Sequence, residues 1–218
     1  DRTRGSNAIR RPLGNLQDAG LIYCNIIYDK APVVMDKMAE MLGEQVFRDG
    51  LREYLKTYGY SNASWDDLVD ILDNHTETDL KKWSDVWIKE PGMPEYSGEV
   101  KDGILEIAQS DPFGRGTVWQ QELENETAEG RYWIPNADGK GYGWFRPDSG
   151  SLDYIMDHWE GFGETLRMSL LMTLYENSWH GTLDRKLFID WCGKNILSES
   201  NPLILSSLIS YASDEVLR

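Results

Sequence analysis

The chain has 218 residues, 37 of them acidic and 22 basic, for a formal charge of -15. A field of that sign repels phosphate backbones and argues against a nucleic-acid partner. The length suits one large domain or two to three small ones, no stretch reaches the roughly 18 to 20 apolar residues of a membrane span, and Cys24 and Cys192 are too few for a disulfide framework.

Residues 1 to 28 read as loop, broken by Gly5, Pro12 and Gly14, with Asp18 to Asn25 as a short helix or an extended segment. No basic region followed by an apolar core marks a signal peptide. The chain starts on Asp1 and ends on Leu217-Arg218 after an apolar-periodic stretch, so both ends are expected to be cut from a longer protein.

A helix is expected from near Asp29. Pro32 suits its first turn, where a missing N–H costs nothing. Val33, Val34, Met38, Met41 and Leu42 form its buried stripe, and Gly43 its stop. A second helix runs from Glu44 to about Tyr58 and stops at Gly59. Ser64 with Asp67 is a capping box for a third, whose apolar side is Leu68, Val69, Ile71 and Leu72. Asp79 caps a fourth, with Leu80, Trp83 and Trp87 on one face, and Glu90-Pro91-Gly92-Met93-Pro94 ends it.

The character then changes. Glu99 to Gln109, Val118 to Leu123, Arg131 to Pro135 and Tyr142 to Phe145 are short β-like runs separated by turn signals such as Lys101-Asp102-Gly103. They predict a small antiparallel β unit of roughly 50 to 60 residues, marginal by itself at that size. Helices return from Glu164, with stripes at Leu166, Leu170, Leu171 and Leu174, at Leu187, Trp191, Ile196 and Leu197, and over Leu203 to Tyr211.

Tyr28 is the first candidate for chemistry. A phenol just before a helix N-terminus can donate a hydrogen bond to a carbonyl oxygen that gains negative charge under attack. It can equally be a packed helix-entry residue with its hydroxyl on a backbone carbonyl. The three histidines, His75, His158 and His180, lack the i, i+4 pairing of a zinc helix and read as satisfied or exposed. There is no G-x-S-x-G elbow and no phosphate loop. Trp119, Trp133 and Trp144 would serve stacking on sugars or a partner if exposed, and read as core.

One set of segments is collinear over residues 1 to about 95. It comprises Tyr28-Asp29-Lys30-Ala31-Pro32, Leu42-Gly43-Glu44-Gln45-Val46-Phe47, Gly50-Leu51 with Tyr54, Asn62-Ala63-Ser64-Trp65-Asp66-Asp67-Leu68, and Trp87 to Gly92-Met93-Pro94. In this order the chain resembles the aminopeptidase N family of zinc metallopeptidases. There the corresponding segments read roughly Tyr-x-Lys-Gly-Ala, Leu-Gly-Glu-x-x-Phe, Gly-Leu, Asn-Ala-Thr-x-x-Asp-Leu and Trp to Gly-x-Pro. Tyr142-Gly143-Trp144-Phe145-Arg146 and the Arg167 to Leu174 stripe are similar more loosely. One departure is Lys30-Ala31-Pro32 for Lys-Gly-Ala, which would lose any backbone contact that needs the glycine.

The resemblance implies an α+β multidomain chain. Residues 1–95 would be the C-terminal helical part of a thermolysin-like catalytic domain, 96–155 a small antiparallel β-sandwich linker domain, and 156–218 the first helices of a C-terminal α-helical domain. It implies a parent enzyme that hydrolyses N-terminal residues from peptides. Tyr28 would be its oxyanion-stabilising catalytic residue and Tyr23 would line the substrate cleft. The family's H-E-x-x-H motif is absent. Zinc would therefore be held in the full-length parent by the missing N-terminal part of the same protein, with none bound by this chain, which would be inactive alone. Its partners would be that N-terminal part and a peptide substrate. The alternative is a non-catalytic relative that uses the fold as a protein-interaction scaffold, a role with no need of Tyr23 and Tyr28.

Overall fold

The computed structural model describes residues 8–10, 15 and 30–218. They divide into two compact units: residues 1–93 with 112–121, and residues 94–111 with 122–218.

The first unit is helical. It contains α1 (Ala31–Leu42), α2 (Glu44–Tyr58), α3 (Trp65–Asp73) and α4 (Leu80–Ser84), the last running into a π-helical turn at Asp85–Lys89. Pro32 lies in the first turn of α1, and Gly43 ends it at φ 76°, a conformation a Cβ would strain. Val34, Met38 and Leu42, at i, i+4 and i+8, are buried along one face. Gly50 lets α2 approach α3, since a Cβ there would lie 2.4 Å from Leu72 Cδ2. The α3 capping box is complete: Asp67 Oδ2 accepts from the Ser64 backbone N–H at 2.7 Å, and Ser64 Oγ accepts from the Asp67 backbone N–H at 3.3 Å.

Asp79 caps α4 by accepting from the Lys82 N–H at 2.9 Å. The expected single helix through Trp87 instead widens into the π turn, the kind of local insertion that shifts the phase of a helix face. Both indoles still point one way: Trp83 Nε1 and Trp87 Nε1 donate to the Gln120 carbonyl at 3.0 and 3.3 Å. The run Val118 to Leu123, expected as β-like, is irregular. It buries Trp119 completely and spends the Gln120 carbonyl on the two indoles rather than on a strand ladder.

In the second unit, β1 (Glu95–Lys101) and β2 (Ile104–Ser110) form an antiparallel hairpin with Lys101 opposite Ile104. Asp102 and Gly103 turn it with φ of 53° and 80°, both positive as a two-residue type I′ turn requires. A second antiparallel pair joins β3 (Glu126–Ala128) to β4 (Tyr132–Ile134). The third strand of the first sheet, β5 (Trp144–Arg146), runs parallel to β1 with Glu95 opposite Trp144, so the pairing is mixed where an antiparallel unit was expected. Tyr96, Trp133 and Phe145 are buried together; Tyr96 stacks on Phe145 at 5.2 Å and Trp133 meets it edge-on at 6.4 Å.

Helices α5 (Ser149–Asp157), α6 (Glu164–Trp179), α7 (Arg185–Ile196) and α8 (Pro202–Leu217) complete this unit. Asp148, Asp184 and Asn201 cap α5, α7 and α8 from their side chains. Leu152, Ile155, Leu170, Leu171, Leu174, Phe188, Trp191, Ile204 and Leu208 form the core. Helix α5 begins 15 residues before the expected return of helix at Glu164. The buried stripe of α7 is Phe188, Trp191 and Cys192, whereas Leu187 and Leu197 are 45% and 88% exposed. The helix stops at Ile196, so Leu197 leaves the stripe. Trp133 and Trp144 are buried, as read from the sequence. No helix among the described residues is long and apolar enough to cross a membrane.

Candidate functional site

Tyr23 and Tyr28 lie outside the described residues, which resume at Lys30 at the start of α1. Lys30 is the described residue next in sequence to those two tyrosines. Its side chain is buried, with the residue 4% exposed, and Nζ donates to the Gly92 carbonyl at 3.4 Å. Burial lowers its pKa from the ordinary 10.5 to about 8. The ammonium has left water, which disfavours its charged form.

The acceptor is built into a fixed turn. Gly92 has φ 112°, and a Cβ on it would come within 3.1 Å of the Phe113 ring and 3.3 Å of Trp119. Arg115 donates to the Pro91 carbonyl at 2.6 Å and to Glu90 Oε2 at 2.8 Å, with its guanidinium 4.9 Å from the Phe113 ring centre. The 8–10 segment is tied to the same end of the unit. The Arg10 backbone N–H donates to the Ile88 carbonyl at 2.9 Å, and its guanidinium binds both Asp66 carboxylate oxygens at 2.9 and 2.7 Å.

The histidines have local partners. His75 bonds Glu53 at 2.7 Å, His158 Nδ1 contacts the Tyr154 carbonyl at 2.9 Å, and His180 lies 3.6 Å from Glu176 and stacks on Trp144 at 4.0 Å. Among the described residues no three His, Cys, Asp or Glu side chains come together as a metal site. These residues do not fit a zinc ion. Cys192 is buried, and burial, with Glu215 nearby, raises its thiol pKa to about 12, which keeps it in the unreactive protonated form. Cys24 lies outside the described residues.

A groove of about 1010 Å³ opens in the second unit, beside Ser97, Glu99, Glu106, Arg146, Asp148 and Thr182. Sequence reasoning gave no sign of it. Its charges are already engaged: Lys101 bridges Glu99 and Glu106 at 2.9 and 3.9 Å, Arg146 faces Glu95 at 3.6 Å, and Asp148 caps α5. Nothing in it converges on a reacting atom. Lys30 is the residue that sequence reasoning passed over, apart from its place in the Tyr-x-Lys pattern.

Residues 1–87 match the Peptidase family M1 domain, a family of hydrolases. This stretch includes Tyr23, Tyr28 and Lys30. The chain is aminopeptidase N-like: it is 30% identical to the aminopeptidase N of Lactobacillus helveticus over 130 residues, 56% of this chain and 15% of the relative. It is 32% identical to aminopeptidase M1 of Arabidopsis thaliana over 112 residues, 51% of this chain and 13% of the relative. It is 28% identical to the alanine/arginine aminopeptidase of Saccharomyces cerevisiae over 122 residues, 56% and 14%. The chain thus spans about 15% of the length of the curated relatives it matches.

Proposed function

We propose that these 218 residues are part of an aminopeptidase that removes N-terminal residues from peptides, with Tyr28 as its oxyanion donor and Tyr23 on the wall of the substrate cleft. The observation that carries this reading is the M1 match over residues 1–87, which includes both tyrosines. The relatives' names, all aminopeptidases, supply the substrate class. With this reading goes a division into the C-terminal helical part of a catalytic domain over 1–95, a β-sandwich linker domain over 96–155 and the first helices of a C-terminal α-helical domain over 156–218.

Tyr28 acts in one step. Its phenol, neutral at pH 7, donates a hydrogen bond to the carbonyl oxygen of the first peptide bond as that oxygen gains negative charge. A bond that strengthens only as charge develops raises kcat and leaves substrate affinity nearly unchanged. The sequence carries no H-E-x-x-H motif; by this reading the zinc of the family would be held by sequence outside these 218 residues, and the chain by itself would be inactive.

The test is Tyr28→Phe in the full-length protein, assayed on aminoacyl anilides. A loss of about a hundred- to a thousandfold in kcat with KM little changed is expected. An unchanged kcat, or equal losses in kcat and in substrate affinity, would refute the assignment.

A further inference from the structure

We propose that the groove of the second unit binds a short zwitterionic peptide of dipeptide length, with its carboxylate on Arg146 and its amine between Glu99 and Glu106. Every residue lining the groove belongs to that unit, so the inference is independent of the role given to Tyr28.

Strand register sets two poles. Ser97 of β1 lies opposite Arg146 of β5, and Glu99 of β1 lies opposite Glu106 of β2. Side chains alternate along a strand, so these four share one face of the sheet. All four line the groove.

The positive pole is incomplete. Arg146 stands 3.6 Å from Glu95, beyond hydrogen-bond reach, and its guanidinium lies 4.8 Å from the Trp144 ring centre. Among the described residues it donates no hydrogen bond. A guanidinium resting on an aromatic face keeps its planar fork of donors for a carboxylate, and the exposed Ser97 hydroxyl is beside it. The negative pole is overcharged. Like charges directly opposite one another destabilise a strand pair. Lys101 relieves Glu99 and Glu106 only in part, at 2.9 and 3.9 Å, and one of the two negative charges is left over. An ammonium between the carboxylates offsets it. Two residues of strand separate the poles, about 7 Å. An extended dipeptide sets its amine and carboxylate about that far apart, and a single amino acid falls short.

The experiment is a titration of the 218-residue chain with alanylalanine at low salt, followed by backbone amide chemical shifts. A Kd of about 10 mM or tighter is expected, with shifts at Ser97, Glu99 and Arg146. Alanine, N-acetylalanylalanine and alanylalanine amide are each expected to bind at least about threefold more weakly, because each loses one pole. Arg146→Gln should abolish the preference for alanylalanine over its amide and keep the preference over the acetylated form. Glu106→Gln should weaken the preference over the acetylated form alone. Where a variant does not fold, the ligand series on the unaltered chain decides by itself.

Absence of shifts in the groove at about 50 mM alanylalanine overturns the proposal. So does equal binding of the free and blocked dipeptides, or of alanine and alanylalanine. A folded R146Q that still prefers the free carboxylate overturns the assignment of Arg146, and the two-pole reading with it.

Discussion

Gly98→Ala offers a sharp test of how the β unit is packed. Gly98 sits in β1, and a Cβ built on it lies 2.6 Å from Trp133 Cε3 and 2.8 Å from two further ring atoms. Trp133 has nowhere to go. It is 0% exposed, its Nε1 donates to Asn125 Oδ1 at 3.0 Å, its backbone N–H donates to Ser151 Oγ at 2.9 Å, and its ring abuts Phe145. Forcing a methyl into such a core costs about 1–3 kcal/mol. Replacing a strand glycine returns about 0.5–1 kcal/mol of backbone entropy. The net loss is about 1–2 kcal/mol, which lowers Tm by about 5 °C for a chain of this size. Thermal unfolding followed by near-ultraviolet circular dichroism reports directly on the buried indoles. The clash is with the indole, so Gly98→Ala should cost almost nothing in a Trp133→Leu background. A Tm at or above wild type, or the same loss in both backgrounds, would refute the packing argument.

Two further outcomes follow from the helical unit. Lys30 ionises near pH 8 in the folded chain and near 10.5 when unfolded. Between those values the unfolded state binds the extra proton, so the free energy of unfolding rises with pH across that window. The rise is about 3 kcal/mol at most; denaturant titrations at pH 7.5 and 10 should show it in wild type and lose it in Lys30→Met. Ser64→Ala removes the side-chain half of the α3 cap and is expected to cost about 1 kcal/mol, read as a lower midpoint in urea.

The helical unit was largely legible because its signals are local. Gly43, Gly59, Ser64 with Asp67, and Asp79 punctuate the chain within one turn of the helices they bound. What sequence could not show are bonds across distance. The Gln120 carbonyl serves indoles 33 and 37 residues away, which removes that run from the strand it resembled. Strand β5 has three residues, too few for a period of two to declare itself or its parallel partner. In α7 the reading slipped by one position, from Phe188 to Leu187, because adjacent apolar residues leave the phase of a helix undetermined. For the candidate site, the position of Tyr28 before a helix left it open between a donor and a packed residue, and its role as an oxyanion donor came from the resemblance to a family. Lys30 bonds a carbonyl 62 residues away, which no window around residue 30 contains.

The excursion of residues 112–121 into the first unit has a consequence for how this protein can be divided. The chain passes between the units at 93/94, 111/112 and 121/122, so neither unit is one continuous stretch. A cut after Met93 strips Trp83 and Trp87 of the carbonyl they share and removes Trp119 from the core around Gly92. Recombination at a single junction therefore could not exchange either unit as an intact cassette.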